Sequence, residues 1–110
     1  MKITLEELIR ANKKLGGNIM SDSSLSFAES LCRNAKSSYT CASIWARAIL
    51  VDHPFSDANK RTALYAVERC IGIHDQEQMA KALIRIASSN INDLKKIEEV
   101  LKNANRQKSV

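Results

Sequence analysis

Residues 51–64 read VDHPFSDANKRTAL, a stretch crowded with groups able to move a proton or hold a charge. His53, with an unperturbed pKa of about 6.5, can accept a proton from a hydroxyl at neutral pH. Asp57 is a hard oxygen ligand of the kind that, one or two to a site, holds Mg²⁺ beside substrate phosphates. A helix is expected to begin at about Asn59, so Lys60 and Arg61 fall in its first turn, where they oppose the positive end of its dipole. A bound phosphate would give them a reason to be there, because the unpaired N–H groups of that turn and both cations would address the same anion. The parts of a phosphate-handling site are thus present: His53 as base, Asp57 as metal ligand, the Asn59 amide, and the cations Lys60 and Arg61. Phe55, between His53 and Asp57, alternates direction and is expected to plug into the core, pinning the loop.

Each of these residues also has an ordinary structural role open to it. His53 could cap a preceding helix through its last carbonyls, Asp57 or Asn59 could be the N-cap of the following one, and Lys60 and Arg61 could be solvated surface charges. Their convergence on one helix start favours the chemical reading. His74 is read as structural, a cation at a helix C-terminus, and Trp45 as core.

The elements that must position this loop can be read from hydrophobic spacing. Thr4 and Glu7 have the spacing of a capping box, and Leu5, Leu8, Ile9 and Leu15 then share one face until Gly16 and Gly17, predicting a first helix over about residues 5–15. After the turn-rich GGNIMSDSS, Ser26 with Glu29 suggests a second capping box, ahead of a face of Phe27, Leu31 and Ala35 and a helix over about residues 24–36. Ala42, Trp45, Ala46, Ile49 and Leu50 mark a third helix, apolar enough to lie inside and running to about Val51, where Pro54 disfavours helical backbone at His53. Ala63, Ala66, Val67, Cys70 and Ile71 mark a fourth from about Asn59 to Gly72. The loop between them spans about residues 52–58. Met79, Leu83, Ile86 and Ala87 give a fifth helix after Asp75, and Ile97, Val100 and Leu101 a sixth with Asn92 as its expected N-cap. The polar tail NANRQKSV is expected to fray.

The expectation is therefore an all-α, compact bundle of about six helices, a single domain over residues 1–110 with the chemically rich loop between its two central helices. Composition agrees: 45% hydrophobic and 26% charged residues are globular values, and one proline with three glycines leaves few turn formers for a many-stranded sheet. The net charge of +5 is spread along the chain, with seven Lys/Arg against four Asp/Glu in residues 1–50 and ten against eight in residues 51–110. No basic stripe stands out, which ranks direct nucleic-acid binding low. Cys32, Cys41 and Cys70 are odd in number and lack C-x-x-C spacing, so they read as buried small hydrophobes and not as a disulfide framework or zinc site. The opening MKITLEELIRANKK lacks the apolar run of a signal peptide, and no run of 18 apolar residues occurs, pointing to a cytoplasmic protein without membrane contact.

The string HPFSDANKR resembles the signature of the Fic/Doc family, H-x-F-x-D/E-G/A-N-x-R, carried on a loop between two central helices. Ala58 and Lys60 make it similar to the Doc branch, the death-on-curing toxins, which carry Ala-Asn-Lys-Arg where Fic enzymes carry Gly-Asn-Gly-Arg. LEELIRAN, GGNIMSD and a closing pair of helices resemble the Doc layout over most of the chain. The resemblance implies ATP as substrate, with Mg²⁺. His53 would be the general base, Asp57 the Mg²⁺ ligand, Asn59, Lys60 and Arg61 the ATP- and phosphate-binding residues, and Phe55 the loop anchor.

It further implies two possible transfers. Fic enzymes move AMP to a protein hydroxyl, whereas Doc moves the γ-phosphate to a threonine of elongation factor Tu and stops translation. Lys60 stands where Fic enzymes have a glycine close to the phosphates, and Leu64 stands where they have a further arginine. Both departures favour the kinase reading, a Doc-type toxin, over an adenylyltransferase; a catalytically silent nucleotide-binding module is the alternative of another class. The Fic autoinhibitory pattern S/T-x-x-x-E-G/N has no match in this chain. Restraint is then expected from an antitoxin protein whose disordered C-terminal segment folds onto the toxin, a coupled folding that suits a helix laid in a groove. The GGNIMSDSS segment resembles the family's target-docking flap, and can equally be an ordinary helix connection.

Overall fold

In the computed structural model, which describes residues 3–106, the chain winds into six α-helices: α1 Leu5–Lys14, α2 Ser23–Arg33, α3 Ser38–Asp52, α4 Asn59–Ile71, α5 Gln76–Ser88 and α6 Leu94–Ala104. No strand is present among the described residues, and the bundle is all-helical and compact, with a radius of gyration of 12.8 Å. None of these helices is long and apolar enough to cross a membrane.

The centre of the molecule is α3, which packs against α2, α4, α5 and α6. Its small and apolar residues explain this. Ala42, Ala46 and Ala48 let neighbouring backbones approach while Trp45, Ile49 and Leu50 fill the space between them, all buried. A helix apolar on most of its circumference is stable only when surrounded. α4 lies alongside α3, and α1 lies across α4. The α1–α4 contact is clamped where the Glu7 carboxylate accepts from Arg69 Nε at 2.6 Å and from the Tyr65 hydroxyl at 2.6 Å. The Arg69 guanidinium, with help from Tyr65, holds the Glu7 carboxyl below the usual carboxylate range.

Helix starts follow side-chain chemistry at four of the six N-termini. Thr4, Ser37, Asp75 and Asp93 each accept from a backbone N–H of the first turn. Three expectations need correcting here. The Thr4–Glu7 box is only half formed, since the Glu7 carboxylate is engaged by Arg69 and Tyr65. The Ser26–Glu29 box does not exist: α2 begins at Ser23, so Ser26 is already helical, and Glu29 instead accepts the Leu5 backbone N–H at 2.7 Å, capping α1 from a neighbouring helix. The N-cap of α6 is Asp93, not Asn92, because the Asp93 carboxylate reaches the N–H groups of Lys95 and Lys96.

The face assigned to α2 is also rotated. Leu25, Ala28 and Cys32 turn inward, Leu31 is half-buried, and Phe27 is 62% exposed. Both sets satisfy helical spacing, and packing on α3 selects the one with small Ala28 and Cys32 at the contact. α2 ends at Arg33, short of the expected residue 36. The tail does not fray at Asn103, which is helical; Asn105 is buried and bridges three places, donating to Tyr39 Oη and the Gly72 carbonyl and accepting from His74 N–H. The expectation for residues 107–110 lies outside the described residues. Cys32 and Cys41 are buried and Cys70 is half-buried, and none of the three is in a disulfide. A hydrogen bond with Cys41, together with burial, pushes the Cys70 thiol up, so it stays protonated and inert.

Candidate functional site

The loop between α3 and α4 is short and bounded at both ends by non-glycine residues in the left-handed region. His53, with φ 48° and ψ 60°, ends α3, its N–H donating to the Ile49 carbonyl at 3.2 Å. Ala58, with φ 62°, is the residue before α4. Such a conformation costs roughly 1–2 kcal/mol for an L-residue and persists only where the surroundings enforce it. Four features enforce it here.

Phe55 is 2% exposed and anchors the middle of the loop in the core. Asn59, the first residue of α4, grips the Phe55 backbone in both directions, donating from Nδ2 to the carbonyl at 2.9 Å and accepting at Oδ1 from the N–H at 3.2 Å. Residues 18–21 then lie antiparallel to the loop: Ile19 bridges Phe55, Met20 N–H donates to the Pro54 carbonyl at 2.8 Å, and Ser56 N–H donates to the Asn18 carbonyl at 2.8 Å. The GGNIMSDSS segment is therefore a wall of the loop as well as a helix connection. Finally, the fully buried Asn12 of α1 donates from Nδ2 to the Asp57 carbonyl at 2.8 Å and to Thr62 Oγ1 at 3.0 Å, while Thr62 Oγ1 donates to the Ala58 carbonyl at 2.8 Å.

The loop and the first turn of α4 line a cavity of about 510 Å³, within the roughly 300–1,000 Å³ range of small-molecule sites. Its lining joins the polar His53, Asp57, Lys60 and Arg61 to the apolar Leu64 of α4 and Leu83 and Ile84 of α5. His53, Asp57 and Lys60 are exposed. Ala58 carries no oxygen to cap α4, and the first intrahelical bond runs from Thr62 N–H to the Ala58 carbonyl. The N–H groups ahead of it are the partial positive charge that an anion would meet. Asp57 Oδ1 accepts the Ala58 N–H at 2.7 Å, leaving Oδ2 for another partner. No group of three or more His, Cys, Asp or Glu side chains able to hold a metal occurs among the described residues. A divalent cation would take Asp57 as its carboxylate and the rest of its shell from ligand and water, the arrangement Mg²⁺ accepts with phosphates.

His53, Asp57, Asn59, Lys60 and Arg61 thus share one cavity, while Phe55 is buried in the core and is not part of its lining. Arg61 also donates from Nη2 to the Leu15 carbonyl at 3.3 Å, tying it to the end of α1. His74 is not part of the site; it follows the far end of α4, a helix about 20 Å long, and is exposed. Sequence reading missed Asn12, Thr62 and the α5 wall. The signal for Asn12 was available: residue 12 continues the stripe of Leu5, Leu8 and Ile9, so it is a polar side chain where the period asks for an apolar one. Arg61 and Leu64 also line a second groove of about 590 Å³ between α1 and α4, together with Ala11, Leu15 and Tyr65, the basic Arg10 and Lys14, and the Glu7 carboxylate.

Comparison of the chain with known families, curated proteins and solved structures gives no match.

Proposed function

We propose that this chain is a Doc-type member of the Fic/Doc family: an ATP-dependent phosphotransferase that modifies a Ser/Thr hydroxyl of a cytoplasmic target, with elongation factor Tu as the first candidate, and acts as the toxin of a toxin–antitoxin pair. The observation that carries the reading is the meeting of His53, Asp57, Lys60 and Arg61 in one cavity at the uncapped start of α4.

The chemistry follows from those groups. His53 removes the proton of the target hydroxyl, whose oxygen forms a bond to the γ-phosphorus as the bond from that phosphorus to the β,γ-bridging oxygen breaks, and ADP leaves. Lys60, Arg61 and the first-turn N–H groups hold the phosphate charge. Asp57 would hold Mg²⁺, which would supply charge neutralisation to the phosphate oxygens. Asn59 serves mainly to hold the loop, with one amide hydrogen left for a phosphate. The apolar wall of Leu64, Leu83 and Ile84 offers a dry side to the nucleotide. The α1–α4 groove joins apolar Ala11, Leu15 and Leu64 to the cations Arg10, Lys14 and Arg61, its Glu7 being engaged by Arg69, and so suits an acidic amphipathic helix such as the folding segment of an antitoxin.

Intact-mass spectrometry of elongation factor Tu after incubation with the protein, ATP and Mg²⁺ tests the reading. One phosphate added by the wild type and none by His53→Ala is the expected result. An AMP adduct would establish the adenylyltransferase instead, and nucleotide binding without any adduct across candidate targets would leave a silent module.

A further inference from the structure

We infer that Asn12 is a positioning residue of the site: from α1, forty-five residues away in sequence, its amide sets the Asp57–Asn59 corner and so the direction in which the Asp57 carboxylate is presented. The inference rests on the reading of Asp57 as the carboxylate beside the nucleotide's metal.

Three observations carry it. First, Asn12 is completely buried at the α1–α4 contact, where an apolar side chain would fill the interface without burying an amide oxygen of its own. Asn12 Oδ1 is buried with no hydrogen-bond partner, a situation that works against stability. Both bonds from its Nδ2 go to the motif region, to the Asp57 carbonyl and to Thr62 Oγ1. Second, Thr62 passes the constraint on, because its hydroxyl donates to the carbonyl of Ala58, the residue held at φ 62°. The peptide groups on both sides of the Ala58 α-carbon are thereby fixed from α1. Third, the chain leaves room for this amide: a Cβ on Gly17 would lie 2.4 Å from Asn12 Oδ1 and 2.5 Å from the Asp57 carbonyl oxygen. Asn12, Gly17 and Thr62 form one assembly around a backbone corner, and the side chain that corner aims is Asp57. A carboxylate that binds a metal depends on such fixing, and loss of an outer hydrogen bond typically weakens metal affinity by about 10–100-fold.

The test uses Asn12→Ala and Thr62→Val, with two readouts. The first is amide hydrogen exchange at Phe55, Ser56 and Ala58 relative to amides of α3 and α6. The second is nucleotide affinity by calorimetry, ATP with Mg²⁺ against ATP with chelator. Expected for Asn12→Ala are exchange at the loop amides faster by about tenfold or more with α3 and α6 unchanged, and loss of about tenfold or more in affinity confined to the Mg²⁺ arm. Thr62→Val should move the same readouts in the same direction, and it decides the matter if Asn12→Ala does not fold. A uniform rise in exchange across all helices, or an unchanged Mg²⁺-dependent gain in affinity, would overturn the inference and leave Asn12 a packing residue. If the wild type binds no ATP, the proposed function falls, and the exchange readout alone decides whether Asn12 sets the corner.

Discussion

Gly17→Ala perturbs the site with a single methyl group and no change in backbone preference, since Gly17 is not in the left-handed region. That methyl would lie 2.4 Å from Asn12 Oδ1, 2.5 Å from the Asp57 carbonyl oxygen and 2.7 Å from Asn12 Nδ2. Ordinary contacts between heavy atoms begin near 3.5 Å, so something must move by about 1 Å, and one of the three atoms is backbone. Overpacking of this kind costs about 1–3 kcal/mol. If the movement also breaks the 2.8 Å bond from Asn12 to the Asp57 carbonyl, an unpaired buried group adds about 1–3 kcal/mol. The expected loss is then about 2–6 kcal/mol, a large part of the roughly 5–15 kcal/mol of a typical domain. It should appear in urea denaturation as a lower midpoint and in thermal unfolding as a fall in Tm on the order of 10 °C or more. Gly16→Ala separates the two ways a glycine can matter: Gly16 has φ 97° and open space around it, so its loss should be the backbone cost alone, about 1–2 kcal/mol. The double variant Asn12→Ala/Gly17→Ala removes two of the three close contacts, so the two losses should fall short of adding by about 1 kcal/mol or more. A Gly17→Ala protein within about 0.5 kcal/mol of wild type, or strictly additive losses, would refute the assembly of Asn12, Gly17 and the Asp57 carbonyl.

Other expectations follow from the same contacts. Phe55→Ala should lose about 3–5 kcal/mol by chemical denaturation, because a 2% exposed ring anchors the loop; a loss under about 1 kcal/mol would mean the loop has another anchor. Ala58→Gly should gain about 0.5 kcal/mol, relief of the left-handed strain being partly offset by the greater unfolded-state freedom of glycine, while Ala58→Val should lose about 1 kcal/mol or more; the reverse order in urea midpoints would contradict the φ of 62°. The Glu7 clamp should be visible in acid. Hydrogen bonds from Arg69 and then Tyr65 lower the folded pKa of Glu7, so its stabilisation is present above the unfolded carboxylate value of about 4.3 and is lost as pH falls through the depressed folded value. Glu7→Gln should flatten stability against pH in that window; an unaltered profile would show that the clamp does not couple to folding.

Local chemistry carried much of this protein's design into the sequence. The central helix is legible because Ala42, Trp45, Ala46, Ile49 and Leu50 repeat at helical spacing, and the break after it because proline constrains the residue before it. The limits of α4 and the concentration of His53, Asp57, Asn59, Lys60 and Arg61 at its start were legible for the same reason: they depend on neighbours in the chain. Tertiary structure decided what neighbours in the chain cannot. Whether Phe27 or Leu25 faces inward depends on which side of α2 meets α3. Whether Glu29 caps its own helix or α1 depends on where α1 lies. The left-handed turns at His53 and Ala58 carry no glycine to announce them; they exist because Phe55, Asn59, Asn12 and the paired residues 18–21 together hold the loop. Spacing along the chain reports periods, and a period does not say which partner a polar side chain will find across forty-five residues.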